Sequence, residues 1–251
     1  MIDTGTLNFQ WSQTLIAGLV AAGVRHAVIS PGSRSTPLAL AAFREAGLQC
    51  HVVIDERSAA FFALGIAKAS HKPALLVATS GSAPANWLPA VIEASESGIP
   101  MILLSADRPP ELHGCGANQT IDQQQLFAGF LRGRHELGVP YADYEVGALV
   151  ALAAHSVEQS CWPPPGPVHL NQAFREPLVP SAPTRRPEVS PVEISCPQLL
   201  PAAGAVAAFC AAISGRPGAI VCGALPSQPE LATAIAELAE QLRCPVLSEP
   251  L

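Results

Sequence analysis

The sequence predicts an α/β protein: a doubly wound parallel sheet, followed by the start of a second α/β domain. Three observations point there. Short runs rich in Val, Ile and Leu alternate with longer stretches at helical spacing. Those runs are apolar nearly throughout instead of at every second residue, as strands covered on both faces require. Polar, mostly Gly-bearing turns follow the runs, where an open parallel sheet places its ligands.

The elements follow in order. Asn8 to Gly23 is the first predicted helix, with Trp11, Leu15, Leu19 and Ala22 at helical spacing and Gly23 placed to end it. HAVIS (His26 to Ser30) is a buried strand ending at Pro31-Gly32, and a helix follows over Pro37 to Ala46. The unit repeats as strand HVVID (His51 to Asp55) and an Ala-rich helix from Ser58 to Ser70. ALLVATS (Ala74 to Ser80) is the third strand, Ala83 to Ser97 the next helix, and PMILLSA (Pro100 to Ala106) the fourth strand. Beyond Arg108 the pattern loosens. A short helix is predicted over Gln119 to Phe130, a longer one over Val146 to Ser160, and PVHLNQA (Pro167 to Ala173) is the last strand of the first domain.

The segment from Pro177 to Pro197 is dense in Pro, Ser and charge and reads as a linker. The predicted domains are therefore 1–180, a linker over 181–197, and an incomplete central α/β domain over 198–251. The last contains a helix (Pro197 to Ile213), strand GAIVCGA (Gly218 to Ala224), a helix (Gln228 to Leu242) and a strand beginning in PVLSEPL. Two βα pairs do not close a core, so the chain is expected to be a fragment of a longer polypeptide or to be completed by another chain.

Composition narrows the class of function. Hydrophobic residues make up 49% and charged residues 14%, which suits well-buried elements and argues against disorder. The net charge of -6 gives no reason to expect nucleic acid or an anionic membrane as partner. Seven cysteines, an odd number with no C-x-x-C spacing, read as reduced thiols of a cytosolic protein instead of a zinc site or disulfide framework. The N-terminus lacks a signal-peptide pattern, and no apolar run approaches the roughly 18 residues of a membrane span. The expected location is the cytoplasm.

Four turns carry the polar residues: SPGSRST (Ser30 to Thr36), DERS (Asp55 to Ser58), TSGSAPAN (Thr79 to Asn86) and ADRPPELHGCGANQT (Ala106 to Thr120). Glu56 has two readings. Asp55 or Ser58 can cap a helix whose positive end Glu56 complements. Alternatively Glu56 is a partly desolvated carboxylate offered to a ligand nitrogen. Thiamine diphosphate needs such a group, which favours the imino tautomer of its pyrimidine and so activates the thiazolium carbon. Arg34 lies where a buried face excludes a cation unless an anion is there, and a guanidinium binds a carboxylate with two parallel bonds. Ser33 can be part of a simple turn, with Ser35 or Thr36 capping the helix. Arg108 raises the same question as Arg34, with an ion pair to Asp107 as the structural alternative. Thr79 to Ser82 offers hydroxyls and a glycine for close backbone approach, but none of the phosphate-loop patterns. Asn118 and Gln119 suit recognition of polar ligands, with loop hydrogen bonding as the alternative. The histidines form no motif: His113 lies beside the turns, and His71, His135 and His155 are expected at the surface.

ISPGSRSTPLALAA, DERSAAFFALGIAK, TSGSAPANWLPAVIEA, LLSADRPPEL and CGANQTI occur in that order, and together they resemble the N-terminal domain of the 2-succinyl-5-enolpyruvyl-6-hydroxy-3-cyclohexene-1-carboxylate synthases of menaquinone biosynthesis. The likeness runs from about Trp11 to Pro177 and more weakly beyond. It implies an enzyme, a transferase, that binds thiamine diphosphate and Mg²⁺, decarboxylates 2-oxoglutarate and adds the succinyl unit to isochorismate. It implies Glu56 as the cofactor-activating, catalytic glutamate, with Ser80, Gly81 and Pro31 also at the cofactor. Ser33, Arg34, Asn118, Gln119 and Arg108 are implied at the substrate site. The family's Gly-Asp-Gly metal motif is not in these 251 residues. Metal and diphosphate ligands are therefore expected on a C-terminal domain, in a homodimer or homotetramer whose subunits share the cofactor, and the chain alone is expected to be inactive. Two alternatives stand beside this reading: the pyrimidine-binding subunit of a split thiamine-dependent 2-oxoacid decarboxylase, and a non-catalytic binding or assembly module.

Overall fold

The structure, a computed structural model, describes residues 3–181, 183–185, 187–190, 192–194, 200–223 and 229–249. The chain divides into two units, Met1–Cys196 and Pro197–Leu251.

The first unit is built on one six-stranded parallel sheet in the order β2-β1-β3-β4-β6-β5. The strands are β1 (His26–Ile29), β2 (Gln49–Val52), β3 (Ala74–Ala78), β4 (Met101–Asp107), β5 (Gly133–Glu136) and β6 (Pro167–Ala173). β3, β4 and β6 are buried along their whole length, which is why their sequences do not alternate. Successive residues still point to opposite faces. Leu75, Val77, Ile102 and Leu104 join one apolar cluster with α1 (Thr4–Ala21), α2 (Thr36–Arg44) and α6 (Val146–Cys161). Leu76, Met101 and Leu103 join the other, under α3 (Glu56–Ser70) and α5 (Leu88–Glu96). The sheet is thus covered on both faces, as the sequence predicts.

α1 is buried along most of its length, so its polar residues need internal partners. Asn8 Nδ2 donates to the carbonyls of Arg175 and Pro177, and Trp11 Nε1 donates to Gln172 Oε1 at 2.7 Å. Gly18 lets α1 and α6 approach closely: a Cβ there would stand 2.9 Å from Ala153 Cβ.

Several boundaries differ from expectation. The first helix starts at Thr4, not Asn8, because Asp3 caps it by accepting from the Thr6 N–H at 3.0 Å. β2 is Gln49–Val52, displaced toward the N-terminus from HVVID. It is an edge strand, Asp55 is needed as the cap of α3, and Ile54 is 82% exposed. The helix expected over Ala83 to Ser97 is two: α4 (Ser82–Ala85) and α5, because Pro89 fits the first turn of a helix but not its interior. Residues 119–130 form turns and no helix, with Gln119 (φ 57°) and Gly129 (φ 91°) both in left-handed backbone. β5 was not predicted: GRHE has no apolar run, since an edge strand bonded to β6 alone is half-exposed. His135 is half-buried, bonded to Gln159 at 2.8 Å, and not a free surface group.

The second unit contains α7 (Ala203–Ile213), β7 (Ile220–Cys222), α8 (Pro229–Leu242) and β8 (Val246–Ser248), with β7 and β8 paired in parallel. The helix expected from Pro197 begins at Ala203, and residues 197–199, Ala224, Gln228, Pro250 and Leu251 of the predicted elements lie outside the described residues.

Candidate functional site

β1 pairs with both β2 and β3, so the chain reverses direction across the sheet at β1. Such a switch point leaves a crevice at the carboxyl ends of the strands. The turns after β2, β1 and β3 carry Glu56, Pro31 to Arg34, and Ser80-Gly81 respectively, so the topology brings three of the four predicted turns side by side. They are stitched together. The Ser30 hydroxyl donates to the Val53 carbonyl at 2.9 Å, and the Ser30 N–H donates to the Val77 carbonyl at 2.9 Å. Gly32 faces Thr79 so closely that a Cβ there would overlap the Thr79 side chain. The fourth turn, after β4, folds back over Ser80 and Gly81 through Gln119 and Gln123.

Glu56 is the first residue of α3, capped by Asp55, whose carboxylate accepts from the Ser58 N–H at 2.8 Å. The capping reading of this turn holds through Asp55, which leaves Glu56 free of that task. Glu56 is half-buried, and no hydrogen bond or ion pair from the described residues reaches its carboxylate. Ser80 is fully buried, and its hydroxyl has no partner among the described residues. Gly81 adopts φ 83° and ψ -136°, a region open to glycine alone in practice, and a Cβ there would stand 2.7 Å from Gln119 Cγ. Pro31 and Ser33 are exposed beside them.

Arg34 is buried and has its anion, but the anion belongs to the protein. Its guanidinium donates to Glu176 Oε1 at 2.8 Å and to the Phe174 carbonyl at 2.9 Å, while Nε is buried without a partner among the described residues. Burial, and then the charge of Arg108, hold its pKa below the usual arginine value; Glu176 acts in the opposite sense. Arg108 does not make the ion pair to Asp107 that the sequence allowed. Asp107 Oδ1 accepts the backbone N–H of Arg108 at 2.7 Å, and the side-chain Nε donates to the Asn118 carbonyl at 3.3 Å. Asn118 and Gln119 are both exposed, and Gln119 Nε2 donates to the Ser80 carbonyl at 3.2 Å. His113 Nε2 lies 3.8 Å from Asp107.

Behind these turns is a polar network that sequence reading missed. Asn171 Nδ2 donates to Asp107 Oδ2 at 2.8 Å and to Glu136 Oε2 at 2.9 Å. Its Oδ1 accepts from Ser105 Oγ and Gln123 Nε2. Ser105 has one proton and gives it to Asn171, so its 2.7 Å contact with His169 Nε2 requires the histidine to donate. His169 is then neutral, with a bare Nδ1 that has no partner among the described residues. Burial, aided by the charge of Arg134, lowers its pKa from 6.5 to about 3. Burial raises the carboxyls of Asp107 and Glu136 above the usual range. The available signal was the three polar residues inside PVHLNQA, an otherwise apolar buried strand.

Among the described residues no group of three His, Cys, Asp or Glu side chains is set to hold a metal, and no helix is long and apolar enough to cross a membrane. A cavity of about 580 Å³ lined by Ala17, Val20, Arg25, Glu45 and Glu188 lies by the start of β1, at the edge of the sheet away from these turns.

A doubly wound sheet with an unpartnered carboxylate and a glycine turn at its switch point defines a class of cofactor-binding domain, and comparison with known families agrees. Residues 9–126 match the family described as thiamine pyrophosphate enzyme, N-terminal TPP binding domain. More particularly, the curated relatives that the chain matches over nearly its whole length are 2-succinyl-5-enolpyruvyl-6-hydroxy-3-cyclohexene-1-carboxylate synthases, and it is similar to their N-terminal part. It is 59% identical to the synthase of Dechloromonas aromatica (strain RCB) over 252 residues, covering 100% of this chain and 47% of that protein. It is 45% identical to that of Geobacillus thermodenitrificans (strain NG80-2), covering 94% and 41%, and 41% identical to that of Trichodesmium erythraeum (strain IMS101), covering 100% and 45%. The chain thus spans about half the length of the curated relatives it matches. The residues present fit a thiamine pyrimidine. The Glu56 carboxylate and the Ser80 hydroxyl, both without a partner among the described residues, are polar groups that ring nitrogens could satisfy.

Proposed function

We propose that this chain is the pyrimidine-binding part of a thiamine diphosphate-dependent carboligase of menaquinone biosynthesis. In this reading the complete enzyme, a transferase, decarboxylates 2-oxoglutarate and adds the succinyl unit to isochorismate. The observation that carries it is Glu56: a half-buried carboxylate at a helix start, relieved of capping by Asp55 and left without a partner among the described residues at the switch point of the sheet. Thiamine diphosphate, when bound, supplies the electron sink for loss of carbon dioxide from a 2-oxo acid. Glu56 holds a proton against a pyrimidine nitrogen, Ser80 offers its free hydroxyl, and Pro31 and Gly81 let the ring approach the backbone. Mg²⁺ and the diphosphate belong to the part of the relatives' length that this chain does not span, and the complete enzyme is a cytoplasmic homodimer or homotetramer.

Both substrates are carboxylates, which the two arginines of the site suit. The charge of Arg108 is felt at Arg34. Arg34 is already satisfied by Glu176, so it steadies the site and can share a substrate carboxylate only through its remaining donors. Arg108 spends only Nε on the Asn118 carbonyl, and its terminal nitrogens have no partner among the described residues. Arg108 is therefore the cation more available to substrate, with Ser33, Asn118 and Gln119 supplying neutral polar contacts.

The test is Glu56→Gln in the protein joined to a diphosphate-binding half. Proton–deuterium exchange at the thiazolium carbon of bound cofactor should slow by about 10²–10⁴-fold, the usual worth of a positioned acid–base group. Exchange as fast as in the unaltered protein would sink the role given to Glu56.

A further inference from the structure

We infer that Gln123 is a positioning residue for the cofactor turn: with Gln119 it clamps the single peptide unit joining Ser80 to Gly81, and the acids behind the sheet dictate which way it faces. This inference rests on the reading of Ser80 and Gly81 as cofactor contacts.

Both polar groups of that peptide unit are held. The Gly81 N–H donates to Gln123 Oε1 at 2.7 Å, and the Ser80 carbonyl accepts from Gln119 Nε2 at 3.2 Å. The two glutamines sit four residues apart on the loop after β4. Gln119 is exposed, whereas Gln123 is fully buried.

A glutamine amide can turn over, exchanging donor for acceptor, and then it would offer Gly81 an NH₂ where an acceptor is needed. The network forbids this. Asn171 must aim its NH₂ at Asp107 and Glu136, two acceptors on two different strands. Its Oδ1 therefore faces Ser105 and Gln123 and must receive donors. Gln123 answers with Nε2, which also donates to the Ala106 carbonyl at 3.1 Å, and only Oε1 remains for Gly81. The orientation of one peptide at the cofactor turn is thus fixed, through two amides, by the carboxylates of β4 and β5. The fixed peptide holds Gly81 at φ 83° beside a Ser80 hydroxyl that has no partner among the described residues. Preorganisation of this kind spares the ligand the cost of ordering the turn when it binds.

The experiment compares the unaltered sequence with Gln123→Met and Gln123→Glu, each joined to a diphosphate-binding half as in the Glu56 test, by NMR, reading Gly81 amide exchange and the shift of Gly81 on titration with thiamine diphosphate. Gln123→Met removes the acceptor at nearly constant volume. It should speed Gly81 exchange and weaken the titration by about tenfold, the loss of one buried hydrogen bond, with the Leu76 amide in β3 staying protected. Gln123→Glu keeps an acceptor for Gly81 and, in its acid form, a donor for Asn171. It should restore Gly81 protection and most of the affinity. Gly81 protection and affinity unchanged in Gln123→Met would overturn the inference. If Gln123→Met exposes Leu76 as well, it has unfolded and Gln123→Glu decides: fast Gly81 exchange in a folded Gln123→Glu overturns it, and protection supports it. A wild-type chain whose Ser80 and Gly81 signals ignore saturating cofactor refutes the functional reading instead, while the exchange data still judge the clamp.

Discussion

Replacing His169 should change how the fold responds to acid. The ring is fully buried, edge-on to Phe127 at 5.0 Å, and donates from Nε2 to Ser105, leaving Nδ1 in a site with no partner among the described residues. Protonating Nδ1 would place an unpaired charge in the core, so the pKa falls from 6.5 to about 3. The sign follows from linkage. Above pH 6.5 the histidine is neutral folded or unfolded and contributes no slope. Between 6.5 and about 3 the unfolded chain takes up a proton that the native state refuses, so stability falls with pH at up to about 1.4 kcal/mol per unit. From pH 7 to pH 4 this one residue should remove about 3 kcal/mol, a large part of the stability of an ordinary domain. His169→Gln keeps a donor toward Ser105 and has no ionisable group. It should be less stable at pH 7, where ring packing against Phe127 is lost, yet lose less on acidification. Denaturant unfolding at pH 7, 6, 5 and 4, followed by the fluorescence of Trp11 and Trp87, gives both slopes. Asp107 and Glu136, whose raised pKa values act in the opposite sense, are present in both proteins, so the difference isolates the histidine. Parallel curves for wild type and variant would refute the assignment of a neutral, unpaired Nδ1.

Two further substitutions probe the site and its support. Gly81→Ala places a side chain at φ 83°, 2.7 Å from Gln119 Cγ and 3.1 Å from the Gln119 carbonyl oxygen, and should cost about 1–3 kcal/mol of stability; an unchanged denaturation midpoint would show that the turn is not held as described. Trp11→Phe leaves Gln172 Oε1 buried without its 2.7 Å donor, and calorimetric melting should show a loss of about 1–3 kcal/mol; a variant as stable as wild type would mean that the bond adds nothing.

The parallel sheet was legible because burial on both faces forces an unbroken apolar run, and β3, β4 and β6 show it in their own residues. The edge strands were not. β2 was read too late in the chain and β5 not at all, since a strand paired on one side need not be apolar. The predicted helix over Gln119 to Phe130 failed for a related reason: Gln123 spends its side chain on Gly81 and Asn171, and the loop follows that anchor instead of a helical ladder.

For the site, the sequence by itself determined which turns matter. Strand ends in a parallel sheet share one edge, so Pro31, Arg34, Glu56, Ser80 and Arg108 group together on sequence alone. It also determined that Glu56 is acidic beside a better cap, Asp55. Only the tertiary structure decided what each side chain is free to do. Arg34 found its anion in Glu176, 142 residues away, and Asp107 spent its carboxylate on Asn171 and a backbone N–H instead of on the Arg108 side chain. Hydrogen bonds between residues distant in sequence leave no local spacing to read. They form because a buried polar group costs free energy until it finds a partner, and the fold alone fixes which partner is within reach.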